Sequence, residues 1–238
     1  MILTVVRNAQ VGHVKGAADC HTRAVGEQQE ESVGVGPWAG PWPQDERGDL
    51  PGHLDPGLLR EGDRRNVVDR YRYWRHEAVV ADLDTRRHGF HVAIENWGHD
   101  FNIGSVVRTA NAFNAGGVHI VGRRRWNRRG AMVTDRYLHE EHHPDVAHLL
   151  AWAGERGLAV IGVDNVPGSV PLEGYALPRD CVLLLGQEGP GLSAEAVAGC
   201  EGIVAITQHG STRSLNAGAA AAVVMYHWAL RHAGGLTP

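Results

Sequence analysis

Short apolar runs and longer segments with helical spacing alternate along the chain from about residue 90 onward. Five runs have the length and the composition of buried strands, at 91–94, 117–121, 158–163, 181–185 and 203–206. Apolar residues at helical spacing predict helices at 103–114, at 144–156, from Ser193 onward and at 214–232. Strands that alternate with helices indicate an α/β fold with a mostly parallel sheet flanked by helices.

The pattern before residue 57 is different. Residues 1–56 are dense in glycine, proline and charge, and they hold too few apolar side chains to offset the entropy lost on ordering. We expect this segment to be disordered or to be an extension outside the working protein. Asp55 and Pro56 are typical of a helix start, and residues 57–88 are expected to form an N-terminal helical segment with a charged face.

Composition narrows the class of protein. The chain has 238 residues and a formal net charge of -4, which excludes a basic coat over the whole surface. Its three cysteines form no CxxC pair, which disfavours a disulfide scaffold or a zinc ribbon and favours the reducing cytoplasm. No apolar run approaches the roughly 18 residues of a membrane span, so we expect no membrane partner.

The loops after the strands are where ligands bind in a parallel sheet. Asn102 stands at the start of the 103–114 helix, where its side chain would accept a hydrogen bond from the amide of Gly104 or Ser105. Arg108 lies off the apolar stripe of that helix and would face outward. A capped helix with a surface arginine explains these residues equally well.

Two further loops combine glycine with polar residues. The Glu188 carboxylate in one of them would repel a pyrophosphate, so this loop favours a ligand that is cationic or free of phosphate. Its glycines allow a ligand to approach the backbone, and Ser193 would cap the next helix. The last helix opens with polar residues and then has a run of glycine and alanine, which would let another helix approach closely. The polar positions of that opening are Ser214 and Asn216.

The three loops, in this order, resemble those of the SPOUT class of RNA methyltransferases. More narrowly, they resemble the TrmH (SpoU) family of ribose 2′-O-methyltransferases. The resemblance covers about residues 94–228, and we assign residues 89–238 to the methyltransferase domain. The matching positions are Asn102 and Arg108, then Gly186, Glu188, Gly189, Gly191 and Ser193, and last Ser214, Leu215 and Asn216.

The resemblance implies a C-terminal deep trefoil knot, which is a rare feature among folds. It also implies a homodimer whose knot regions face each other. The implied methyl donor is S-adenosylmethionine, bound by the backbone at Gly186, Ile206 and Leu215.

The implied reaction is methyl transfer to a ribose 2′-hydroxyl of tRNA or rRNA, with Arg108 acting on that hydroxyl. Because a guanidinium stays protonated, we expect Arg108 to clamp phosphate and to stabilise the developing alkoxide rather than to act as a base. The other residues with an implied catalytic role would hold the pocket and the arginine in register. These are Asn102, Glu188, Ser214 and Asn216.

Five arginines and a tryptophan follow the second predicted strand within seven residues. Arginine binds phosphate, and both residue types stack on bases, so we expect this segment to contact RNA. A charged surface loop is the alternative. The segment consists of Arg123, Arg124, Arg125, Trp126, Arg128 and Arg129.

Other functions stay open at this stage. His139, Glu140 and His143 fit the HExxH pattern of zinc hydrolases, but that pattern needs a continuous helix and Pro144 disfavours one, so we expect no metal. A dinucleotide-binding dehydrogenase is disfavoured by the charge of Glu188. The remaining alternative is a protein of the same fold that binds RNA and has lost catalysis.

Overall fold

The computed structural model describes residues 34–96, 102–187 and 189–234. Seven strands form one sheet at the centre of this part of the chain. The strands are β1 (Phe90–Asn96), β2 (Val118–Gly122), β3 (Glu140–His143), β4 (Ala159–Val163), β5 (Val170–Pro171), β6 (Cys181–Leu185) and β7 (Gly202–Ala205). Their order is β3-β2-β1-β6-β4-β7-β5, and every neighbouring pair is parallel.

Helices cover both faces of the sheet. The helices are α1 (Pro56–Glu61), α2 (His76–Asp84), α3 (Ile103–Ala112), α4 (Val146–Glu155), α5 (Ala194–Gly199) and α6 (Ala217–His232). Apolar residues of α3 and α6 pack on one face, and those of α4 and α5 pack on the other. No helix in the described ranges is long and apolar enough to cross a bilayer.

The sheet confirms the predicted fold class and all five predicted strands. The sequence pattern missed β3 and β5. β3 has only polar residues and pairs with β2 alone, and β5 has two residues and pairs with β7 alone. Such edge strands lack the apolar run by which a buried strand is found. The deep trefoil knot concerns how the chain threads and stays a prediction.

The expectation of disorder is wrong for residues 34–56. Val35 forms a bridge with Asp63, and Leu54, which is 8% exposed, forms one with Trp74. The buried carboxylate of Asp63 accepts two hydrogen bonds from the guanidinium of Arg65, at 2.9 and 2.7 Å. Backbone hydrogen bonds to residues 59–75 connect 34–56 to the following chain, and composition does not reveal them. Residues 1–33 lie outside the described residues.

The expected helical segment at 57–88 is interrupted. Between α1 and α2 the chain makes one 3-10 turn, Asp69–Tyr71, and then passes through Tyr73 at φ 64. A left-handed residue cannot continue an α-helix. The segment therefore consists of short helices joined by turns.

Candidate active site

A cleft of about 740 Å³ lies at the carboxyl ends of β4, β6 and β7. A volume of this size is typical of a site for a small organic ligand. The three residues predicted to bind the cofactor all line it, and so do two of the predicted catalytic residues. These five are Gly186, Ile206, Leu215, Ser214 and Asn216. Glu188, which was predicted to be catalytic, lies outside the described residues.

The loop after β6 has a backbone shape that only glycine permits. A Cβ added to Gly186 would lie 2.2 Å from the carbonyl carbon of Gly191 and 2.3 Å from the amide nitrogen of Leu192. Gln187 and Gly191 exchange two backbone hydrogen bonds, at 3.0 and 3.1 Å. Gly191 itself has φ +75, in the left-handed region that favours glycine. The loop therefore folds back tightly and offers main chain to the cleft.

Two carboxylates hold the end of this loop. Asp164 follows β4, and its Oδ2 accepts a hydrogen bond from the amide of Leu192 at 2.8 Å. Glu95, which is 1% exposed in β1, accepts one from the amide of Ser193 at 2.8 Å. Sequence reasoning missed both residues, although an acid at the carboxyl end of an apolar strand was the available signal. Ser193 caps α5 as predicted, because its Oγ accepts from the amide of Ala196 at 3.1 Å.

Asn102 and Asn216 join the starts of two helices. Asn216 caps α6, since its Oδ1 accepts from the amides of Gly218 at 2.9 Å and Ala219 at 3.3 Å. Its Nδ2 donates to Oδ1 of Asn102 at 2.9 Å. The expectation that the Asn102 side chain caps α3 is wrong. The Asn102 backbone has ψ -13 rather than the extended value of a cap, and its side chain makes no capping bond.

Glycine residues, which have no side chain, let α3 lie close to both of its neighbours. A Cβ on Gly218 in α6 would lie 3.1 Å from the Cβ of Ser105, and one on Gly104 would lie 2.6 Å from the Cα of Gly130. Helix α3 is thus fixed between α6 and the turn at Arg128–Ala131. The small residues at the start of α6 therefore serve a close approach within this chain.

Arg108 lies on α3 and is exposed, as its position off the apolar stripe predicts. Its guanidinium makes no hydrogen bond or ion pair with the described part of the chain. Arg108 does not line the cleft itself; the helix that carries it is joined to the cleft by the Asn102–Asn216 hydrogen bond. An arginine on a fixed helix that has no partner among the described residues is suited to bind an anionic ligand.

The five predicted arginines of the 123–129 segment are all exposed. The side chain of Asn96, buried at the end of β1, holds the segment by donating to the carbonyls of Arg123 and Arg125, at 2.7 and 3.1 Å. The side chains of Arg124, Arg125 and Arg129 have no partner among the described residues. These three cations are therefore available to phosphate.

Arg128 and Trp126 behave differently from the rest of the segment. Arg128 forms ion pairs with Asp135 at 2.7 Å and Glu140 at 3.0 Å. Burial opposes the shift, but the hydrogen bonds to these two acids raise the pKa of Arg128. Trp126 is only 8% exposed and packs in the core, with Arg128 at 4.7 Å from its ring. The prediction that Trp126 stacks on RNA is wrong, because its ring faces inward.

The zinc-hydrolase alternative is also wrong. Residues 140–143 form strand β3, whose side chains alternate between the two faces of the sheet. His139 instead pairs with Asp84 at 2.8 Å, and Glu140 pairs with Arg128. The helix that an HExxH site requires is therefore absent from this part of the described chain.

Curated relatives match part of this chain. An uncharacterized tRNA/rRNA methyltransferase of Mycobacterium avium (strain 104) is 36% identical over 141 residues, which cover 56% of this chain and 45% of that protein. One of Mycobacterium bovis (strain BCG / Pasteur 1173P2) is 31% identical over 180 residues, which cover 73% of this chain and 53% of that protein. The chain thus spans about half the length of these relatives.

Solved structures share the fold. The TrmH/SpoU tRNA modifying enzyme of A. aeolicus matches with a TM-score of 0.57 at 20% identity, over 64% of this chain and 80% of that one. The SpoU methyltransferase AviRb of Streptomyces viridochromogenes, in complex with AdoMet, matches with a TM-score of 0.56 at 25% identity, over 63% of each chain. The family model described as the SpoU rRNA Methylase family matches residues 89–226, which is more than half of the chain. With its glycine loop, its Asn102–Asn216 link and this match together, the chain belongs to the SpoU methylase family.

Proposed function

We propose that this protein transfers a methyl group from S-adenosylmethionine to a ribose 2′-hydroxyl of tRNA or rRNA in the cytoplasm. The observation that carries the proposal is a single cleft lined by Gly186, Ile206 and Leu215, with Arg108 exposed on the helix joined to it. Membership of the family and the AdoMet complex of AviRb support the choice of donor.

The residues of the cleft fit such a donor. The cleft has room for a ligand of this size, and the Gly186 loop offers it main-chain groups. Asp164 and Arg213 both line the wall, so the cleft presents one anion and one cation to the amino and carboxyl groups of an amino-acid moiety. When bound, the donor supplies an electrophilic methyl group on a cationic sulfur.

In this proposal Arg108 interacts with the RNA that accepts the methyl group. Its charge binds an RNA phosphate and stabilises the negative charge that grows on the 2′-oxygen as the methyl group is transferred. It remains protonated throughout, so the hydroxyl proton leaves to another acceptor, such as solvent or the RNA phosphate. Asn102 and Asn216 are positioning residues, because they fix the start of α3 against the cleft. Glu188 and Ser214 keep their implied role in shaping the pocket.

RNA is held by the 123–129 segment. Arg124, Arg125 and Arg129 project without partners among the described residues, on the chain that packs against α3. Exposed arginines next to the arginine that faces the acceptor form one cationic surface in an otherwise acidic protein. Arg123 and Arg128 belong to the same surface, and Arg128 contributes less because its charge is paired with two acids.

A homodimer is part of the proposal. Helix α6 exposes Val223, Tyr226 and Leu230, which are 42%, 51% and 52% exposed. These residues recur at helical spacing and form an apolar stripe that a second copy would cover. Tyr226→Asp should convert a dimer to a monomer in light scattering coupled to size exclusion. A wild-type protein that is monomeric at micromolar concentration would contradict this part.

The function is tested by incubating the protein with RNA and methyl-labelled S-adenosylmethionine, followed by digestion to nucleosides. We expect label in 2′-O-methylnucleosides, and comparison of RNA from strains with and without the gene identifies the site. Binding of RNA without incorporation would instead support a catalytically silent protein. Label on a base would contradict ribose as the acceptor.

A further inference from the structure

Three histidines on neighbouring strands form a row under α4, away from the cleft. Nδ1 of His91 lies 3.0 Å from Nε2 of His119, and Nδ1 of His119 lies 2.9 Å from Nε2 of His143. The strands are β1, β2 and β3, and the ring of Trp152 in α4 packs against all three imidazoles, 4.2 Å from that of His119. His119 is 1% exposed and His143 is 6% exposed. The proposed methyl transfer uses none of these residues.

Burial disfavours the charged form of these imidazoles, since it lowers the pKa of His91 to about 4 and that of His119 to about 2, and it also lowers the pKa of His143. A neutral imidazole keeps a lone pair on one ring nitrogen, and this is the form that binds a metal ion.

A carboxylate stands beside two of the histidines. Glu141 is paired in register with His119 across β2 and β3, and it lies two residues before His143 on the same strand. All three side chains therefore belong to one face of the sheet. One ligand atom from each residue lies within 4.8 Å of the other two. Glu141 is exposed, which leaves an entry path from solvent.

We propose that Nδ1 of His119, Nε2 of His143 and a carboxylate oxygen of Glu141 bind a divalent transition-metal ion, best matched by zinc. Two nitrogens and one oxygen suit zinc, and a water molecule completes the tetrahedron. With zinc–nitrogen bonds of about 2.0–2.1 Å, two nitrogens of a tetrahedron lie about 3.3 Å apart. These two nitrogens, now 2.9 Å apart, need to separate by a few tenths of an ångström, and the rings need to turn so that both lone pairs point at the ion.

Metal binding requires each histidine to carry its hydrogen on the ring nitrogen that does not bind the ion. We place the hydrogen on Nε2 of His119, 3.0 Å from Nδ1 of His91, which orients the ring and leaves Nδ1 of His119 to bind the metal. The hydrogen between His119 and His143 gives way to the metal, and His143 carries its proton on Nδ1 instead. The ion would bind β2 to β3, the two strands between which the 123–129 segment lies. Its role would be structural, and the site shares only His143 with the HExxH pattern.

The test uses the full chain without a histidine tag, freed of metal by a chelator and titrated with zinc chloride. We expect one zinc per chain by metal analysis and calorimetry. In excess zinc we expect the unfolding temperature to rise by about 5 °C, reversibly with chelator. These readouts do not depend on methyl transfer, so their failure is distinguishable from failure of the proposed function.

Two matched variants decide whether the named residues bind the ion. Glu141→Gln removes a ligand at an exposed position and should weaken zinc binding at least tenfold, while the histidine row stays intact. Glu140→Gln makes the same change one residue away on the opposite face and should leave zinc affinity unchanged. Absence of stoichiometric uptake by the wild type, or equal zinc affinity in the two variants, would overturn the proposal.

Discussion

The cleft at the ends of β4, β6 and β7 is built from main chain and glycine, whereas the surface formed by α3 and the 123–129 segment is built from long cationic side chains. In the cleft a single Cβ at Gly186 would collide with the backbone at 2.2 Å. On the surface, Arg124, Arg125 and Arg129 have no fixed partner among the described residues. The function of the cleft therefore depends on its shape, and a single substitution there should abolish methyl transfer. The function of the surface depends on its charge, and each substitution there should weaken RNA binding by a small amount.

The largest effect is expected at Gly186. Gly186→Ala forces the 187–191 loop to move, because the added atom would overlap the Gly191 carbonyl carbon. We expect methyl transfer to fall at least 1,000-fold, to background in a label-incorporation assay, since the donor site is disrupted. Gly210→Ala is the matched control, because nothing lies within 4 Å of its added Cβ. Similar activities of the two variants would contradict a cleft set by shape.

Arg108 should produce the next largest effect, chiefly on the chemical step. We expect Arg108→Ala to lower kcat by about 100-fold, the scale on which a group that stabilises developing charge acts. Arg108→Lys keeps the charge and loses the planar fork, so it should recover only a small part of the rate. Steady-state kinetics at saturating donor measures both. A lysine variant with near-wild-type turnover would refute a role that needs the planar guanidinium.

The Asn102–Asn216 link can be separated from the helix cap. Asn216→Asp keeps the oxygen that caps α6 but loses the amide that donates to Asn102. We expect about a tenfold lower kcat with little change in melting temperature. Asn216→Ala loses the cap as well and should cost about 1 kcal/mol of stability in denaturant unfolding. If the aspartate variant is as active as the wild type, the link does not position Arg108.

The smallest effects are expected on the arginine surface. Each glutamine substitution at Arg124, Arg125 or Arg129 should weaken RNA binding by a few-fold and lower the slope of log affinity against log salt by about 0.7–0.9. Arg128→Gln is the internal control, since its charge is already paired with Asp135 and Glu140 and should matter less to RNA. Filter binding over a salt series measures all four. Equal losses in all four variants would argue against free phosphate contacts.

The sequence predicted the periodic parts of the fold well. The central strand β6 has the predicted bounds, and two of the three motif loops line one cleft as the strand-end rule requires. The third motif reaches that cleft only through the Asn102–Asn216 hydrogen bond. The features that the sequence did not predict depend on contacts between residues that are distant along the chain. The ordering of 34–56 depends on backbone hydrogen bonds to residues 59–75, and the inward ring of Trp126 depends on the core beneath the arginine segment. Neither has a local signature.

The polar residues inside the molecule were the hardest to predict. The two carboxylates that hold the glycine loop come from β1 and β4, which are far from that loop in sequence. Asn102 has the residue type and position of a helix cap, yet its side chain binds Asn216, 114 residues away. The histidine row likewise appears only when β3, a strand without apolar residues, is placed beside β2. The spacing of residues along the chain does not reveal which residues of different strands and helices lie side by side.

Calorimetric titration of the purified protein with S-adenosylmethionine is the most direct test of the proposed donor site. We expect one donor bound per chain, with affinity unchanged within twofold in Arg108→Ala and binding lost in Gly186→Ala. No heat of binding with the wild type, or equal binding by Gly186→Ala, would contradict it.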